Sequence, residues 1–237
     1  MCSAIIHSSS VGMTRASTRL LALLMRMPGT PGGRDAEGVE WAALAPPMPG
    51  AAAADSLIRE GEGSFARLWQ LTFGGENAEA YWSEDGRRLT FQSTRDGWPC
   101  DQQYVLEMAT GAVHRVSTGT GRTTCGYFYD HDRRVLFSST HLGADSCPPL
   151  PDFSQGYAWS VYPEYDIFTA RPDGSDLRRL TSTPGYDAEA TVSTDGRTFV
   201  FTSVRDGDLD LYTMRPDGSG VTRLTDRSGI DVLVNNA

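Results

Sequence analysis

The chain has 237 residues, of which 39% are hydrophobic, and this is enough apolar material to bury one sizeable core. It holds 30 Asp and Glu against 21 Lys and Arg, a formal net charge of -9. This acidic balance argues against nucleic acid or an anionic membrane as partner. No run of 18 apolar residues occurs, so no membrane-inserted helix is expected.

Residues 1–65 show little periodic pattern and are rich in Ala, Gly, Pro and Ser. Such a composition predicts a flexible leader or linker rather than a folded domain. A start at Met13 would place two Arg residues before the short apolar run 20–25, which is the order of an export signal. Arg26 ends that run early. We therefore expect a leader that could contain an export signal with a short apolar core.

From about residue 69 onward the chain repeats itself. Three phenylalanines end short apolar runs, three further aromatic residues follow them, and three aliphatic residues lie 12 positions after the second aromatic set: Phe91, Phe137 and Phe201; Tyr104, Phe168 and Tyr212; Val116, Leu180 and Leu224. Each aliphatic residue opens a Val-Ser or Leu-Thr pair. An internal repeat of this length indicates a solenoid, a propeller or an array.

Each repeat is predicted to form β-strands, because its apolar runs are short and are separated by turn dipeptides. Residues 85–86 and 195–196 are both Asp-Gly and predict tight hairpins, since Gly adopts a positive φ without steric cost. In the middle repeat, Asp132 stands at the Gly position. Turns at 172–175 and 216–219 each precede a fourth strand. Four short strands in about 45 residues are typical of a β-propeller blade.

The predicted fold is all-β, a propeller region over 66–229 with about three four-stranded antiparallel blades at about 69–117, 118–181 and 182–225. Propellers close with about four to eight blades, so three blades form an incomplete ring. Three blades leave exposed apolar faces and unpaired strand edges, which require a partner. We expect either a truncated gene product or half-propellers that self-associate through open blade edges. Residues 230–237 are the start of a fourth blade or a gene-boundary scar.

Two parts of the repeats resemble the repeats of TolB-like β-propellers, and such repeats are WD-like. The first part is 71–86, and the second is 203–212 followed by 214–219. The resemblance covers about residues 69–229, with turn, aromatic and Arg-Leu-Thr elements recurring in the same order. It implies a six-bladed propeller in the bacterial cell envelope that contacts proteins and has no catalytic residues.

Three cysteines map to one rim of the predicted propeller, at the end opposite the Asp-Gly hairpins. Cys100 and Cys147 lie between the second and third strands of the first two blades. Cys125 aligns with Glu79 and Glu189, where the first strand of each blade begins. In an oxidising compartment this arrangement allows a disulfide between Cys125 and Cys147, with Cys100 as the alternative partner.

The same rim carries an insertion of about 20 residues within 139–165 of the second repeat. A long loop with aromatics and prolines predicts a contact surface for a protein or peptide. Alternatively, its aromatics fold back to cover an enlarged blade edge. The candidate binding residues of this rim are His141, Asp145, Phe153, Tyr157, Trp159, Tyr162, Tyr165, Trp98, Asp101, Glu79 and Glu189. The cysteines and His141 lack tight ligand spacing, so no metal is predicted, and no cofactor either.

These patterns predict a non-catalytic scaffold that binds a protein or peptide, in the periplasm or secreted, with a cytoplasmic location as the alternative. A second interpretation is the substrate-gating propeller of a serine peptidase that resembles the prolyl oligopeptidases. Such an enzyme needs a Gly-x-Ser-x-Gly nucleophile elbow, and this chain contains none. The scaffold is therefore the preferred interpretation.

Overall fold

The computed structural model describes residues 2–6, 21–26, 46–62, 65–152, 154 and 160–226. Within these residues the chain forms four sheets of four antiparallel strands and two short 3₁₀ turns, Asp55–Leu57 and Arg95–Gly97. Three of the sheets correspond to the three sequence repeats. The predicted all-β propeller with an incomplete ring is confirmed.

Each repeat forms one blade, an antiparallel meander whose strands neighbour each other in sequence order. Blade one comprises β5 (Asn77–Trp82), β6 (Arg88–Ser93), β7 (Gln102–Glu107) and β8 (Val113–Arg115). Blade two comprises β9 (Thr123–Tyr129), β10 (Arg134–Ser139), β11 (Asp166–Ala170) and β12 (Arg178–Arg179). Blade three comprises β13 (Asp187–Val192), β14 (Phe199–Ser203), β15 (Asp210–Met214) and β16 (Thr222–Arg223). The outermost strands have two or three residues, so each blade presents a short edge.

The fourth sheet is built from the N-terminal part of the chain. It contains β1 (Cys2–Ile6), β2 (Leu21–Arg26), β3 (Ala52–Ala53) and β4 (Phe65–Gln70), in the order β1-β2-β4-β3. The sequence predicts a leader over 1–65, and these strands within it are a difference that periodicity does not reveal. Their pairing is non-local, since Leu24 lies opposite Leu68. The boundary between leader and propeller stays a prediction.

Residues of the fourth sheet cover one face of blade one. Met48, Trp69 and Leu71 form a buried cluster with Leu89 and Phe91 of blade one. Burying side chains of this size stabilises the fold by about 1.5–3 kcal/mol each. The ordered structure that supports blade one therefore reaches back at least to Met48.

Neighbouring blades pack face to face through the same repeat positions. Blade two presents Phe137 and Phe168 to Val116 of blade one. Blade three presents Phe201 to Leu136 of blade two, with further contacts from aligned positions in both blades: Phe199, Tyr212, Met214 and Ile167. The phenylalanines that end the apolar runs are thus the interblade core, and this explains their regular spacing.

The outer face of blade three repeats the face by which blade two receives blade three. Leu224 stands at the position of Leu180, which packs against the cluster between these blades, yet Leu224 is 55% exposed. Self-association through this open face stays a prediction.

The Leu-Thr pairs that mark the repeat close each blade at its third strand. The Thr181 hydroxyl accepts a hydrogen bond from the Ile167 amide at 2.9 Å and donates to Asp166 Oδ1 at 3.3 Å. In blade three, the Thr225 hydroxyl accepts from the Leu211 amide at 3.0 Å. Because Thr181 is buried, losing its hydroxyl would leave the Ile167 amide unpaired at a cost of about 1–3 kcal/mol, and the partly buried Thr225 should cost less.

A basic side chain ties the first strand of a blade to its second and third strands, and we call this contact the basic clamp. In blade three the Arg205 guanidinium lies 5.2 Å from the Phe201 ring and 4.9 Å from the Tyr212 ring. It donates to both oxygens of the buried Asp187 carboxylate, at 2.9 and 3.0 Å, and to the Ser203 hydroxyl at 2.9 Å. The carboxylate, hydroxyl and two rings satisfy a guanidinium that lies largely out of water.

Blade one repeats the clamp and blade two departs from it. Arg95 lies 5.0 Å from the Phe91 ring and bonds Asn77 and Ser93. In blade two, His141 takes the place of the arginine and packs on Phe168 with ring centroids 4.4 Å apart. The blade with the weaker clamp is also the blade that carries the insertion.

Blade three requires glycine at two turns for different reasons, at Gly218 between its third and fourth strands and at Gly196 between its first and second strands. Gly218 has a φ of +83° and lies against blade two, where an added Cβ would be 2.7 Å from the Leu180 carbonyl oxygen. Gly196 has a φ of +70° with no atom within 4 Å of an added Cβ.

We expect Gly218→Ala to lower the free energy of unfolding by about 2–4 kcal/mol, because it adds a backbone clash to left-handed strain. Gly196→Ala carries the strain alone and should cost about 1 kcal/mol. Urea unfolding of both variants beside the wild type measures the difference. Equal losses of unfolding free energy in the two variants would show that the turn at Gly218 does not contact blade two closely.

Candidate functional site

The first strand of every blade contains a β-bulge at the same repeat position. Glu79, Cys125 and Glu189 occupy these bulges with φ angles of 51°, 47° and 56°. A left-handed conformation is uncommon for residues other than glycine and carries local strain. Three repetitions of the same strained position make these bulges a shared feature of the blades.

The bulges bring the three side chains together on the innermost strands, and we call them the inner cluster. The Cys125 thiol donates to Glu189 Oε2 at 3.0 Å and lies 4.0 Å from Glu79 Oε2. Tyr81 donates its hydroxyl proton to Glu79 at 2.6 Å, and Tyr186 donates to Glu189 at 3.3 Å. The inner cluster therefore links all three blades through side-chain hydrogen bonds.

The chemistry of the inner cluster is that of proton-bearing groups. Burial raises the pKa of the Cys125 thiol well above its ordinary value, and the carboxylates of Glu189 and Glu79 raise it further. Burial also raises the pKa of Glu189, while hydrogen bonds from Cys125 and Tyr186 oppose the rise. A buried thiol with a raised pKa is a poor nucleophile, because the thiolate is the reactive form.

The structure corrects the expected disulfide. Cys147 bonds Cys100, the alternative partner, with a Cα–Cα distance of 5.9 Å, and Cys125 is a buried free thiol. The bulge directs the Cys125 side chain toward the inner cluster and away from the rim loops. Cys100 and Cys147 lie in equivalent connections of consecutive blades, and that equivalence is the signal that sequence reasoning could have used.

The disulfide anchors the insertion to blade one. The carbonyl of Asp145 accepts from the Gly121 amide at 3.0 Å, which adds a second tie to the connection between the blades. His141 Nδ1 lies 2.9 Å from the Ser139 hydroxyl. Burial and the nearby Arg179 lower the pKa of His141, which favours the neutral ring.

Two tyrosines of the insertion, Tyr162 and Tyr165, pack against blade three. Tyr165 is buried and meets Tyr186 edge-on, with ring centroids 5.7 Å apart. Tyr162 packs on the same cluster and donates its hydroxyl proton to the Pro149 carbonyl. These two residues follow the alternative in which the aromatics cover a blade edge. Phe153, Tyr157 and Trp159 lie outside the described residues.

Two other candidates have structural partners on the rim. The Trp98 ring lies 4.6 Å from the Arg115 guanidinium carbon, and Asp101 forms an ion pair with Arg122 at 3.0 Å. Both side chains are partly buried. Glu79 and Glu189 are brought together by the inner cluster, whereas Trp98 lies on the blade-one side of the rim, against the core that blade one shares with the fourth sheet.

Sequence reasoning missed the aliphatic surface of the insertion. Leu142, Leu150 and Val161 are 56%, 69% and 40% exposed, and all three lie in the anchored loop. Large apolar residues held in water in one loop are a feature of contact surfaces. The available signal was their position among prolines, since a loop without a core of its own has nothing to bury them.

Within the described part of the chain, no group of three or more His, Cys, Asp or Glu is arranged to hold a metal ion.

The four-stranded blades, their face-to-face packing and their open ends define a β-propeller with an incomplete ring. No protein-family model matches the chain. The Tol-Pal system protein TolB of Bordetella pertussis is 29% identical over 126 residues, which cover 53% of this chain and 24% of that protein. TolB of Bordetella bronchiseptica matches over the same extent.

The crystal structure of TolB from Acinetobacter baumannii superimposes with a TM-score of 0.52 and 19% identity, covering 67% of this chain and 35% of that one. The chain is thus similar to TolB-like β-propellers and forms a partial propeller, as the sequence resemblance predicts. Its match spans about a quarter of the length of its curated relatives.

We expect Glu189→Gln to flatten the pH dependence of stability. Because folding raises the pKa of Glu189, the folded state binds this proton more strongly than the unfolded state does. Its contribution is complete below the ordinary value of 4.5 and is lost as pH rises through the folded pKa. The difference in unfolding free energy, wild type minus variant, should fall as pH rises above 4.5, by at most about 1.4 kcal/mol per pH unit. If urea unfolding gives wild type and variant the same pH dependence of the unfolding free energy, the prediction is contradicted.

Proposed function

We propose that this chain is a non-catalytic scaffold that binds a protein partner through the rim insertion. The observation that carries the proposal is the exposure of Leu142, Leu150 and Val161 on a loop held by a disulfide. A loop anchored by a disulfide loses less conformational freedom on binding than an unanchored one. Exposed aliphatic groups on such a loop supply the apolar centre that protein interfaces use.

The state of the inner cluster supports a scaffold without catalysis. The Cys125 thiol is buried, protonated and hydrogen-bonded to a carboxyl group, so it offers no nucleophile at neutral pH. His141, whose ring packs on Phe168, contacts a serine that is itself buried at the end of β10. These groups serve the packing of the blades.

The proposed location is the periplasm or another oxidising compartment. Disulfides persist where thiols are not kept reduced, and the Cys100–Cys147 bond joins two blades. No helix among the described residues has the length and apolar character needed to cross a membrane. The relatives named above belong by name to the Tol-Pal system, and we extend that setting to this chain as part of the proposal.

The proposed partner is a Pal protein of that system. Purified Pal from Bordetella pertussis, immobilised on a biosensor, should bind the full chain. Leu142→Asp and Leu150→Asp should each weaken binding tenfold or more, because each places a charge at the centre of an apolar contact.

Val221→Asp is the matched control, since Val221 is 38% exposed but lies in blade three, away from the insertion. It should change the affinity less than twofold. If wild type fails to bind Pal, the partner is wrong. If Val221→Asp weakens binding as much as Leu142→Asp, the rim is not the contact surface.

A further inference from the structure

A second concave surface lies between blades two and three, at the end of the blades where the first and second strands turn. This cavity has a volume of about 790 Å³ and is lined by both blades and by the end of β5. Cavities of about 300–1,000 Å³ are typical of ligand sites. We call it the turn cavity, and it is separate from the rim insertion.

The hairpin turn of blade two is strained. Asp130, His131 and Asp132 have consecutive φ angles of 55°, 53° and 62°. Each such residue costs about 1–2 kcal/mol of conformational energy. Blades one and three have a glycine, Gly86 or Gly196, at the position of Asp132. Strain of this kind persists where the surroundings impose it.

The contact that holds this turn is made by the Asp132 carboxylate with blade one. Asp132 is 6% exposed and accepts from the amides of Glu84 at 2.8 Å and Asp85 at 3.0 Å. Its carbonyl accepts from Arg88 Nη2 at 2.9 Å. The turn of blade two is therefore fixed on blade one, and the turn cavity lies on its other side, toward blade three. Glycine at 132 could not make this contact.

The floor of the turn cavity is aromatic and aliphatic. Trp82 and Tyr127 line it from the innermost strands, and Tyr129, Leu180 and Val192 are also part of its lining. Tyr129 is buried and meets the Phe199 ring edge-on at 5.0 Å, so this floor is part of the interblade core. Aromatic rings of this kind attract cations through their faces.

The three guanidinium groups along the cavity form ion pairs with two carboxylates outside its lining. Arg134 and Arg178 both bond Asp176, at 2.7 and 2.9 Å. These two hydrogen bonds lower the pKa of Asp176 to about 2, so the network stays charged in mild acid. Arg179 pairs with the buried Asp166 at 2.6 Å. These two carboxylates offset two of the three guanidinium charges, and the lining itself holds five acidic residues: Glu84, Asp130, Asp132, Asp195 and Asp217.

Two aspartates of blade three bring negative charge to the cavity wall. Asp195 Oδ1 accepts from the Ser193 hydroxyl at 2.7 Å and the Arg197 amide at 3.0 Å. Asp217 Oδ1 accepts from the Ser219 amide and hydroxyl at 2.9 and 2.6 Å. These bonds lower the pKa of both aspartates, which remain ionised. Both side chains are exposed, so a ligand can reach them.

We propose that the turn cavity is a binding site for the Arg or Lys side chain of a basic peptide segment. The cation lies over the aromatic floor and is attracted by the carboxylates of Asp195 and Asp217. The net charge of -9 raises the local concentration of basic segments near the chain. The site is distinct from the rim and adds a second contact to the proposed scaffold.

The test uses the full chain and a fluorescein-labelled peptide, Gly-Arg-Gly-Arg-Gly, followed by fluorescence anisotropy. Asp195→Asn with Asp217→Asn removes two charges and keeps the turn hydrogen bonds, because the amide oxygen can still accept. This double variant should bind at least tenfold more weakly than the wild type. Binding should also weaken with added salt.

Asp173→Asn is the matched control, since Asp173 holds Ser175 in blade two as Asp217 holds Ser219 in blade three. It lies outside the cavity lining and should change the affinity less than twofold. Leu142→Asp on the rim should likewise leave this binding unchanged, so failure of the rim proposal and failure of this one are distinguishable.

Three results would overturn the proposal. The acidic peptide Gly-Glu-Gly-Glu-Gly could bind as tightly as the basic one. Asp173→Asn could weaken binding as much as the double variant. Spermidine could displace the peptide with an affinity equal to or tighter than that of the peptide, which would assign the cavity to free polyamines instead.

Discussion

In blades one and three, the basic clamp is the contact that holds the start of the first strand against the second and third strands. In blade three it joins Asp187 at the start of the first strand to Arg205 after the second, and to aromatic rings of the second and third strands. A buried carboxylate with a removed partner would be costly, so the pair holds the strand start in one position. The bulge residue Glu189 follows two positions later. In blades one and three the clamp thus holds the strand start two residues before the glutamate of the inner cluster.

Blade two departs from this pattern at both of its ends. At the rim, His141 and Thr123 stand where blade three has an arginine and an aspartate, so the ion pair is lost. The insertion begins there, and a disulfide joins it to blade one. At the opposite end, Asp132 replaces a turn glycine and binds blade one. Each departure creates one of the two candidate binding surfaces.

These two surfaces differ in physical character. The rim insertion exposes aliphatic side chains on a covalently anchored loop, which suits a dry contact with a folded partner. The turn cavity combines aromatic rings with ionised aspartates, which suits a cation. A propeller blade can carry both, because its two ends are formed by separate connections. The framework between them is held by the packing of Phe137 and Phe201.

The sequence by itself determined the blades, because the phenylalanines, the Leu-Thr pairs and the turn dipeptides recur at spacings set by local strand geometry. It also placed Cys125, Glu79 and Glu189 at equivalent positions. Tertiary structure alone decided that Cys147 bonds Cys100, that Tyr165 is buried while Leu142 is exposed, and that Asp132 rests on blade one. The physical reason is that these outcomes depend on contacts between blades. Twist and bulges orient these side chains toward neighbours in other blades, far away in the chain. Periodicity within one repeat does not reveal which residues those neighbours are.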